Sequence, residues 1–422
     1  MIMVRVVRWS IVLWSASLFC QDVVFVRPFQ DMFSEKLSTY GREGLYDWYH
    51  GYQSWSGFKQ PFDCMRIAQV PFNTRGKLIE YDAETGEACI EFSHMGVDVA
   101  GNLRPCRFWT LSYVYVAQGA EYVMRPTFLL LSEQGRTKKR AAFPCAVDAA
   151  DRATLRAHNT LVLCYPWCDP VTHAAYSAGT RFVRVAHKDT KDAFAVALYT
   201  SDTDAVAYTF VPHIYARPCD EKLSDAERRR IFNDVVKAWA CHEDATITPY
   251  VWGGGVVMPA IENSGFELVE DCFFKRPVSY YVRQGVGMPA GVDCSSLVLL
   301  AAQIAGIECF YKTTSTFFKH AVPVTKYEDM HEGDLIVWPG HMLVISDMRP
   351  GHETCSESLG YGDGAGRVRR VALHEKFKDI HSFQDLWRAY KNKKPLEIFY
   401  AHNEKIAKTI PEFKIVSLFG KK

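Results

Sequence analysis

The sequence has almost no net charge, with 49 lysines and arginines against 48 aspartates and glutamates. Proteins that hold nucleic acid through its phosphates carry a clustered basic excess, so this balance argues against a nucleic-acid partner. Beyond the first 20 residues, the chain also lacks an apolar run long enough to cross a bilayer as a helix. Histidines and cysteines with the spacing of a zinc site are missing too, and we expect no metal and no cofactor.

The first 20 residues have the pattern of an export signal. Arg5 and Arg8 precede an apolar run of the length found in secretory signals. Lipidation of Cys20 is an alternative that would anchor the protein to a membrane, although Phe19 is a poor fit before such a cysteine. A buried first helix is the other interpretation. We expect an exported protein of the periplasm or cell envelope.

The 422 residues are enough for about two to four domains. Residues 21–155 predict a β-rich domain that could form a barrel, because short β-prone runs alternate with turn signals. Residues 156–218 contain four closely spaced strand patterns, which are typical of a small β-barrel. Near residue 224 the strand patterns end and a helical pattern begins. Ser224 and Glu227 have the spacing of a capping box, and the pattern of an amphipathic helix follows.

One stretch predicts a cysteine on the first turn of a buried helix. Residues 291–296 read GVDCSS, and an apolar helical pattern follows until Gly306. Backbone N–H groups and the helix dipole at this end favour the thiolate of Cys294, which is the nucleophilic form. The count of 13 cysteines is odd, so at least one thiol is unpaired. A buried structural cysteine is the alternative interpretation.

A predicted β-hairpin supplies a histidine about 40 residues further on. Residues 333–338 read GDLIVW, a Pro-Gly turn follows, and His341 opens the second strand. A cysteine nucleophile needs a base such as an imidazole. Upstream, residues 249–254 read PYVWGG.

Together these three segments resemble the NlpC-type family of bacterial cell-wall cysteine peptidases, with its ordered patterns P-Y-x-W-G-G, D-C-S-G-L-V and G-D-L followed by a histidine. The resemblance covers roughly residues 225–400. It implies an α+β fold, a papain-like peptidase domain at 219–422 in which a helix packs on an antiparallel sheet. Residues 156–218 look like a bacterial Src-homology-3-like module, and such small barrels often precede this peptidase type.

The resemblance also implies the roles of individual residues. Cys294 would attack an amide carbonyl, and His341 would carry the proton to the leaving amine. A third group must hold the imidazole. The candidates are His352, Glu353 and Glu357; Glu357 is the best match to the family pattern there, and His352 is next. Tyr250 would support the oxyanion, and three further residues would line the substrate subsite: Asp293, Ser295 and Ser315.

The implied partners are peptidoglycan peptides, cut between D-glutamate and the diamino acid. Two departures weaken the match. The segment 256–290 is an insert, which we expect to be a loop over the cleft. Thr313 and Thr314 stand where relatives often have a cation and a carboxylate, so the usual substrate preference is in doubt. A non-catalytic wall-binding protein, and an amidase or acyltransferase on the same fold, are the alternative functions.

Overall fold

The computed structural model describes fourteen stretches of the chain, and the segment at 1–20 with Cys20 lies outside them. The described residues are 21–26, 29–40, 66–118, 121–130, 159–171, 174–199, 206–219, 222–240, 248–258, 266–270, 277–283, 286–360, 367–399 and 405–419. No helix among them is long and apolar enough to cross a membrane.

In the first unit, the described residues form strands and one 3-10 turn. Its strands are β1 (Gln21–Phe25), β2 (Phe29–Phe33), β3 (Arg66–Pro71), β4 (Arg75–Asp82), β5 (Glu87–Val99), β6 (Asn102–Leu111), β7 (Tyr113–Gln118), β8 (Glu121–Pro126) and β9 (Phe128–Leu130). Seven form one antiparallel sheet in the order β3-β2-β6-β5-β4-β1-β9, and β7 pairs with β8. Because no ladder joins β3 to β9 among the described residues, a closed barrel in 21–155 stays a prediction.

The second unit is a five-stranded sheet with an added hairpin. Its strands are β10 (Thr160–Leu163), β11 (Trp167–Cys168), β12 (Ala175–Tyr176), β13 (Arg181–Arg184), β14 (Ala193–Tyr199), β15 (Val206–Pro212) and β16 (Ala216–Pro218). The sheet order is β15-β14-β13-β10-β16. Its core includes the buried rings of Trp167 and Phe182. Four of these strands, β10, β13, β14 and β15, fall where the sequence predicts them, while β11, β12 and β16 were not predicted. The Src-homology-3-like topology of 156–218 stays a prediction.

The third unit combines helices with an antiparallel sheet. Its elements are α1 (Asp225–Trp239), β17 (Phe266–Glu270), β18 (Pro277–Arg283), β19 (Val286–Pro289), α2 (Cys294–Ile304), α3 (Thr314–His320), β20 (Val322–Pro323), β21 (Leu335–Trp338), β22 (His341–Asp347), β23 (Thr354–Leu359), β24 (Arg367–Ala372), α4 (Leu373–Lys376), α5 (Phe383–Lys391), β25 (Leu396–Phe399), β26 (Ile406–Ile410) and β27 (Lys414–Ser417). The main sheet has the order β20-β27-β21-β22-β23-β24.

Both faces of this sheet are covered. Successive side chains along its strands point to opposite faces, and both sets are apolar. Val337 and Val344 point to one face and share a core with α1 and α2, whereas Ile336 and Ile345 point to the other and share a core with α4 and α5. Both faces are therefore apolar, and a helix packed on an antiparallel sheet is the arrangement expected from the sequence.

Two local predictions about helix ends are confirmed. Ser224 and Glu227 form the capping box of α1, each side chain bonding to the other's backbone N–H. Gly306 follows α2 with φ +71°, a conformation that glycine adopts without steric cost.

The insert at 256–290 is more ordered than a loop. Strands β17, β18 and β19 form an antiparallel three-stranded sheet within it, so the prediction of a loop is wrong for these residues. Val256 at its start is buried beside Ala175 and Ala290, and the N–H of Gly255 donates to Oε1 of Gln69 at 3.3 Å. The base of the insert is thus held by both preceding units.

The first unit also bonds directly to the connection between α2 and α3. Gly96 on β5 bridges to Tyr311 in parallel, and the N–H of Lys312 donates to the Gly96 carbonyl at 2.9 Å. Asp98 contacts α3 itself: its N–H donates to Oγ1 of Thr316 at 3.1 Å, and its carboxylate pairs with His320 at 2.6 Å. These contacts tie strand β5 to the helix that follows the cysteine helix.

Candidate active site

Cys294 is the first residue of α2, as the sequence predicts. Asp293 caps the helix: its Oδ1 accepts the Ser296 N–H at 2.7 Å and the Ser295 hydroxyl at 2.9 Å. An aspartate in this position satisfies N–H groups that a helix start leaves unpaired. Cys294 is only partly buried and forms no disulfide.

The PYVWGG segment lies directly against the start of α2, joined by backbone hydrogen bonds. The Val292 N–H donates to the Pro249 carbonyl at 3.2 Å, and the Val251 N–H donates to the Val292 carbonyl at 3.3 Å. Glycine is required at this junction, because a Cβ on Gly291 would lie 2.4 Å from the Pro249 carbonyl oxygen. The backbone contact brings Tyr250 beside the segment that carries the cysteine.

Tyr250 lies between the cysteine segment and the end of β23. It bridges to Val292 in parallel, and its ring carbons lie 3.6–3.7 Å from where a Cβ on Gly360 would be. The side chain is partly buried. The ring is thus held between two segments that also contribute Cys294 and Glu357.

His341 occupies the first position of β22, after the predicted hairpin turn. The turn is confirmed by the β21–β22 ladder, in which Trp338 pairs with His341, and Gly340 adopts φ +101°. The Gly340 N–H donates to Oγ1 of Thr314 at 3.0 Å, so α3 supports the turn. The Trp338 ring lies 5.4 Å from the imidazole.

Glu357 on β23 is the group that meets His341. Its Oε2 lies 2.7 Å from Nε2 of His341, and its side chain is fully buried. Arg369 on β24 reaches Oε1 with two nitrogens at 2.7 and 2.9 Å, and Lys376 on α4 reaches Oε2 at 2.7 Å. Burial alone would raise the pKa of Glu357, but Lys376, His341 and Arg369 together hold it well below its usual range. The carboxylate is therefore ionised at neutral pH.

His352, the other candidate for this position, is elsewhere. It is exposed in the turn before β23, and its backbone N–H donates to the Arg349 carbonyl at 2.9 Å. The turn lies at the end of β22 opposite His341, so the two imidazoles are a strand length apart.

The Cys294 sulfur faces the start of β22. The backbone N–H groups of Ser295 and Met342 lower the pKa of the sulfur, so both lie near it, and Met342 directly follows His341. The start of the helix that carries the nucleophile candidate therefore lies near the start of the strand that carries the base candidate.

The ionisation of this thiol differs from the prediction. Burial, and then the Asp293 carboxylate, raise the pKa of Cys294 to about 12, although two N–H groups and Lys312 lower it. The favourable term at a helix start is about 0.3–1 kcal/mol, whereas burial of a charged group can shift a pKa by about 3–5 units. Desolvation is the larger effect here, so the thiol is protonated at rest.

The predicted subsite residues lie on either side of this centre. Asp293 and Ser295 are buried and bond to each other at the helix start, and Lys312 lies 3.6 Å from the second Asp293 oxygen. Lys312 also donates to the Ser296 hydroxyl at 2.8 Å. Ser315 is exposed on the first turn of α3. Contact of these residues with a substrate stays a prediction.

Sequence reasoning missed Lys376, Arg369 and Lys312. Arg369 pairs with Glu357 in the β23–β24 ladder, so recognition of that hairpin would have found it. Lys376 carried no such signal, because it lies in a short helix that begins after β24.

Within the described stretches, no three His, Cys, Asp or Glu side chains are grouped closely enough to hold a metal ion.

No family model matches the chain, and no curated protein matches it. Among solved structures, NlpC2 from Trichomonas vaginalis is 10% identical, with a TM-score of 0.29, over 85% of this chain and 94% of that one. NlpC1 from the same organism is 9% identical, with a TM-score of 0.29, over 86% of this chain and 91% of that one. An NlpC/P60 endopeptidase from Photobacterium damselae subsp. piscicida is 9% identical, with a TM-score of 0.43, over 94% of this chain and 73% of that one. The chain is thus similar to proteins of the NlpC/P60 group at low TM-scores, and the chemistry proposed below rests on the side chains around Cys294.

Proposed function

We propose that the chain is a cysteine peptidase that hydrolyses the stem peptides of peptidoglycan. The observation that carries this proposal is the Glu357 carboxylate 2.7 Å from the imidazole of His341, whose strand starts near the Cys294 sulfur at the head of α2. A nucleophile, a base and a group that orients the base are the parts needed for covalent catalysis of acyl transfer.

The ionised carboxylate decides which imidazole nitrogen acts as the base. Glu357 can only accept hydrogen bonds, so Nε2 of His341 must carry the hydrogen between them. In the neutral ring, Nδ1 then holds the lone pair. Nδ1 takes the proton of the Cys294 thiol as the sulfur attacks the amide carbonyl, and the same proton passes to the leaving amine. Water, activated by the imidazole, then releases the acyl group from sulfur.

General-base action suits the protonated thiol of this site. With the pKa of Cys294 near 12, a standing thiolate is scarce at neutral pH, and the proton must leave during the attack. Two donors are proposed for the oxyanion that forms on the carbonyl. One is the Cys294 N–H, which is unpaired within α2 as in any first helical residue, and the other is the Tyr250 hydroxyl.

The substrate class rests on the sequence patterns of the NlpC-type family. We assign the bond between D-glutamate and the diamino acid, with Asp293, Ser295 and Ser315 near the subsite. Because residue 314 is a threonine, a substrate amine has no carboxylate partner at this position, and the Thr314 hydroxyl accepts the Gly340 N–H instead. The proposal includes export to the periplasm or cell envelope through residues 1–20, with lipidation of Cys20 as the alternative anchor.

A second candidate function is non-catalytic binding of the wall. The observation that favours it is the protonated, largely desolvated thiol, which resembles a structural cysteine more than an activated one. An amidase would share the same covalent step and cleave a different amide bond. An acyltransferase would also share it and transfer the acyl group to an acceptor other than water.

The experiment is incubation of the full chain with defined muropeptides, followed by mass spectrometry of the products. Cleavage between D-glutamate and the diamino acid is expected, with loss of product in Cys294→Ala and unchanged product in Cys168→Ala, a partly buried cysteine of the second unit. Binding without cleavage in the parent would favour the wall-binding function. Equal turnover by parent and Cys294→Ala would refute the peptidase.

A further inference from the structure

The Glu357 carboxylate has every acceptor position occupied. Two nitrogens of Arg369 reach Oε1, and His341 and Lys376 each reach Oε2 at 2.7 Å. A carboxylate offers about four lone-pair directions, so this group has no remaining acceptor and no freedom to rotate. Its orientation toward the imidazole is set by the two cations.

The charges around this carboxylate do not cancel. One anion faces the Lys376 ammonium and the Arg369 guanidinium, which leaves an excess of one positive charge before the imidazole is counted. Exposure of the Lys376 side chain is 1% and that of Glu357 is 0%. With so little water to screen it, Lys376 acts strongly on a proton arriving at His341.

Other groups near His341 add little charge of their own. From α2 comes the neutral Cys294 thiol, with Asp293 and Lys312 paired 3.6 Å apart beside it. From β21 comes the uncharged Trp338 ring. Among the described residues, the charges on the Glu357 side are therefore the carboxylate next to the imidazole and the two cations that offset it.

Building on the peptidase proposed above, we propose that Lys376 is a positioning residue for the base: it fixes the Glu357 carboxylate on His341 and offsets the charge of that carboxylate, which favours the neutral form of the imidazole. A neutral imidazole is the form that can accept the thiol proton. A bare carboxylate would instead favour the imidazolium, which cannot act as a base.

The fold around Lys376 fits this task. The residue ends the four-residue helix α4, between Leu373 and Phe377, which are both 1% exposed. The Phe377 ring lies 6.5 Å from that of Trp338, which also neighbours the imidazole. Packing of these side chains fixes the backbone of the lysine, so its ammonium group is delivered to one place.

The test is a pH titration of His341, monitored by NMR of labelled histidine in a Cys294→Ala background. The His341 signal is the one that is lost in His341→Gln. Lys376→Met is expected to raise the titration midpoint of His341 by about one to three pH units, because a cation next to the ring is lost. Lys378→Met is the matched control. It removes an exposed lysine two residues away that pairs with Glu397, and it should leave the midpoint unchanged.

A second variant keeps the proposal testable if Lys376→Met does not fold. Arg369→Met removes the other cation, whose side chain is 12% exposed, and is also expected to raise the midpoint. Lys376→Arg keeps the charge and should restore the parent midpoint. A folded Lys376→Met or Arg369→Met protein that titrates like the parent would overturn the proposal. Since the titration needs no substrate, this outcome is independent of whether the muropeptide assay shows cleavage.

Discussion

Nε2 of His341 lies 2.7 Å from Oε2 of Glu357, on the neighbouring strand of one antiparallel sheet. The pairing fixes the tautomer of the imidazole, because an ionised carboxylate can only accept. It also removes Glu357 from proton transfer, since its low pKa leaves it no tendency to take the proton. The carboxylate therefore orients the imidazole and takes no part in proton transfer.

Alkylation of Cys294 should be slow at neutral pH. A pKa near 12 means that the thiolate is about one in 10⁵ of the population at pH 7, and the thiolate is the reacting form. We expect the iodoacetamide rate at Cys294, followed by peptide mass spectrometry, to keep rising above pH 9. The urea-unfolded chain is the control and should react much faster at pH 8. A rate that is high and flat between pH 5 and 7 would instead indicate a standing thiolate–imidazolium pair.

Glu357→Gln should destabilise the fold as well as reduce activity. The change leaves Lys376 and Arg369 buried without their anion, and loss of one partner of a buried pair costs about 3–5 kcal/mol. Urea unfolding measures the difference in free energy. Glu353→Gln, in the partly buried turn just before β23, is the control and should lie close to the parent. A Glu357→Gln protein as stable as that control would contradict the charge pairing.

Stability should fall at acid pH because of Glu357. Its folded pKa is depressed below its usual value, so between the unfolded pKa near 4.3 and the folded one the unfolded chain binds more protons. The stabilisation is complete above about pH 4.3 and is lost as the pH falls through the folded pKa. We expect the free energy of unfolding to drop more steeply from pH 5 to pH 3 in the parent than in Glu357→Gln. Parallel curves would show that other carboxylates control this range.

Gly291→Ala should separate the two backbone segments that meet beside Cys294. A Cβ there would lie 2.4 Å from the Pro249 carbonyl oxygen and 2.6 Å from a Val251 methyl group, so one segment must move. Overpacking of this kind costs about 1–3 kcal/mol, measured by urea unfolding. Gly360→Ala is the control, because the nearest atom there, in the Tyr250 ring, is at an ordinary 3.6 Å. Equal stability of the two variants would mean that the junction is not tightly packed.

Sequence reasoning found the parts of the site that short patterns determine. An N-cap residue before an apolar helix places Cys294, and a turn between two strands places His341; both are set within about ten residues. The capping box at Ser224 and the end of α2 at Gly306 were predictable for the same reason.

The missed features depend on contacts between distant segments. The buried Lys376 and the desolvated thiol of Cys294 result from how α4, β22 and α2 pack, and no local pattern encodes that. The strands of the insert were missed because the segment was treated as an addition that relatives lack. The alternation of residue types within the segment itself was not used.

The bonds between β5 and the α2–α3 connection bear on how this protein can be dissected. Gly96 and Asp98 belong to the first unit, yet they hold the segment from Lys312 to His320, whose Thr314 in turn supports the turn before His341. We therefore expect the residues from 219 onward to depend on the first unit for this support. A chain shortened to them would lose the contacts of Gly96 and Asp98 that hold the segment behind its own histidine.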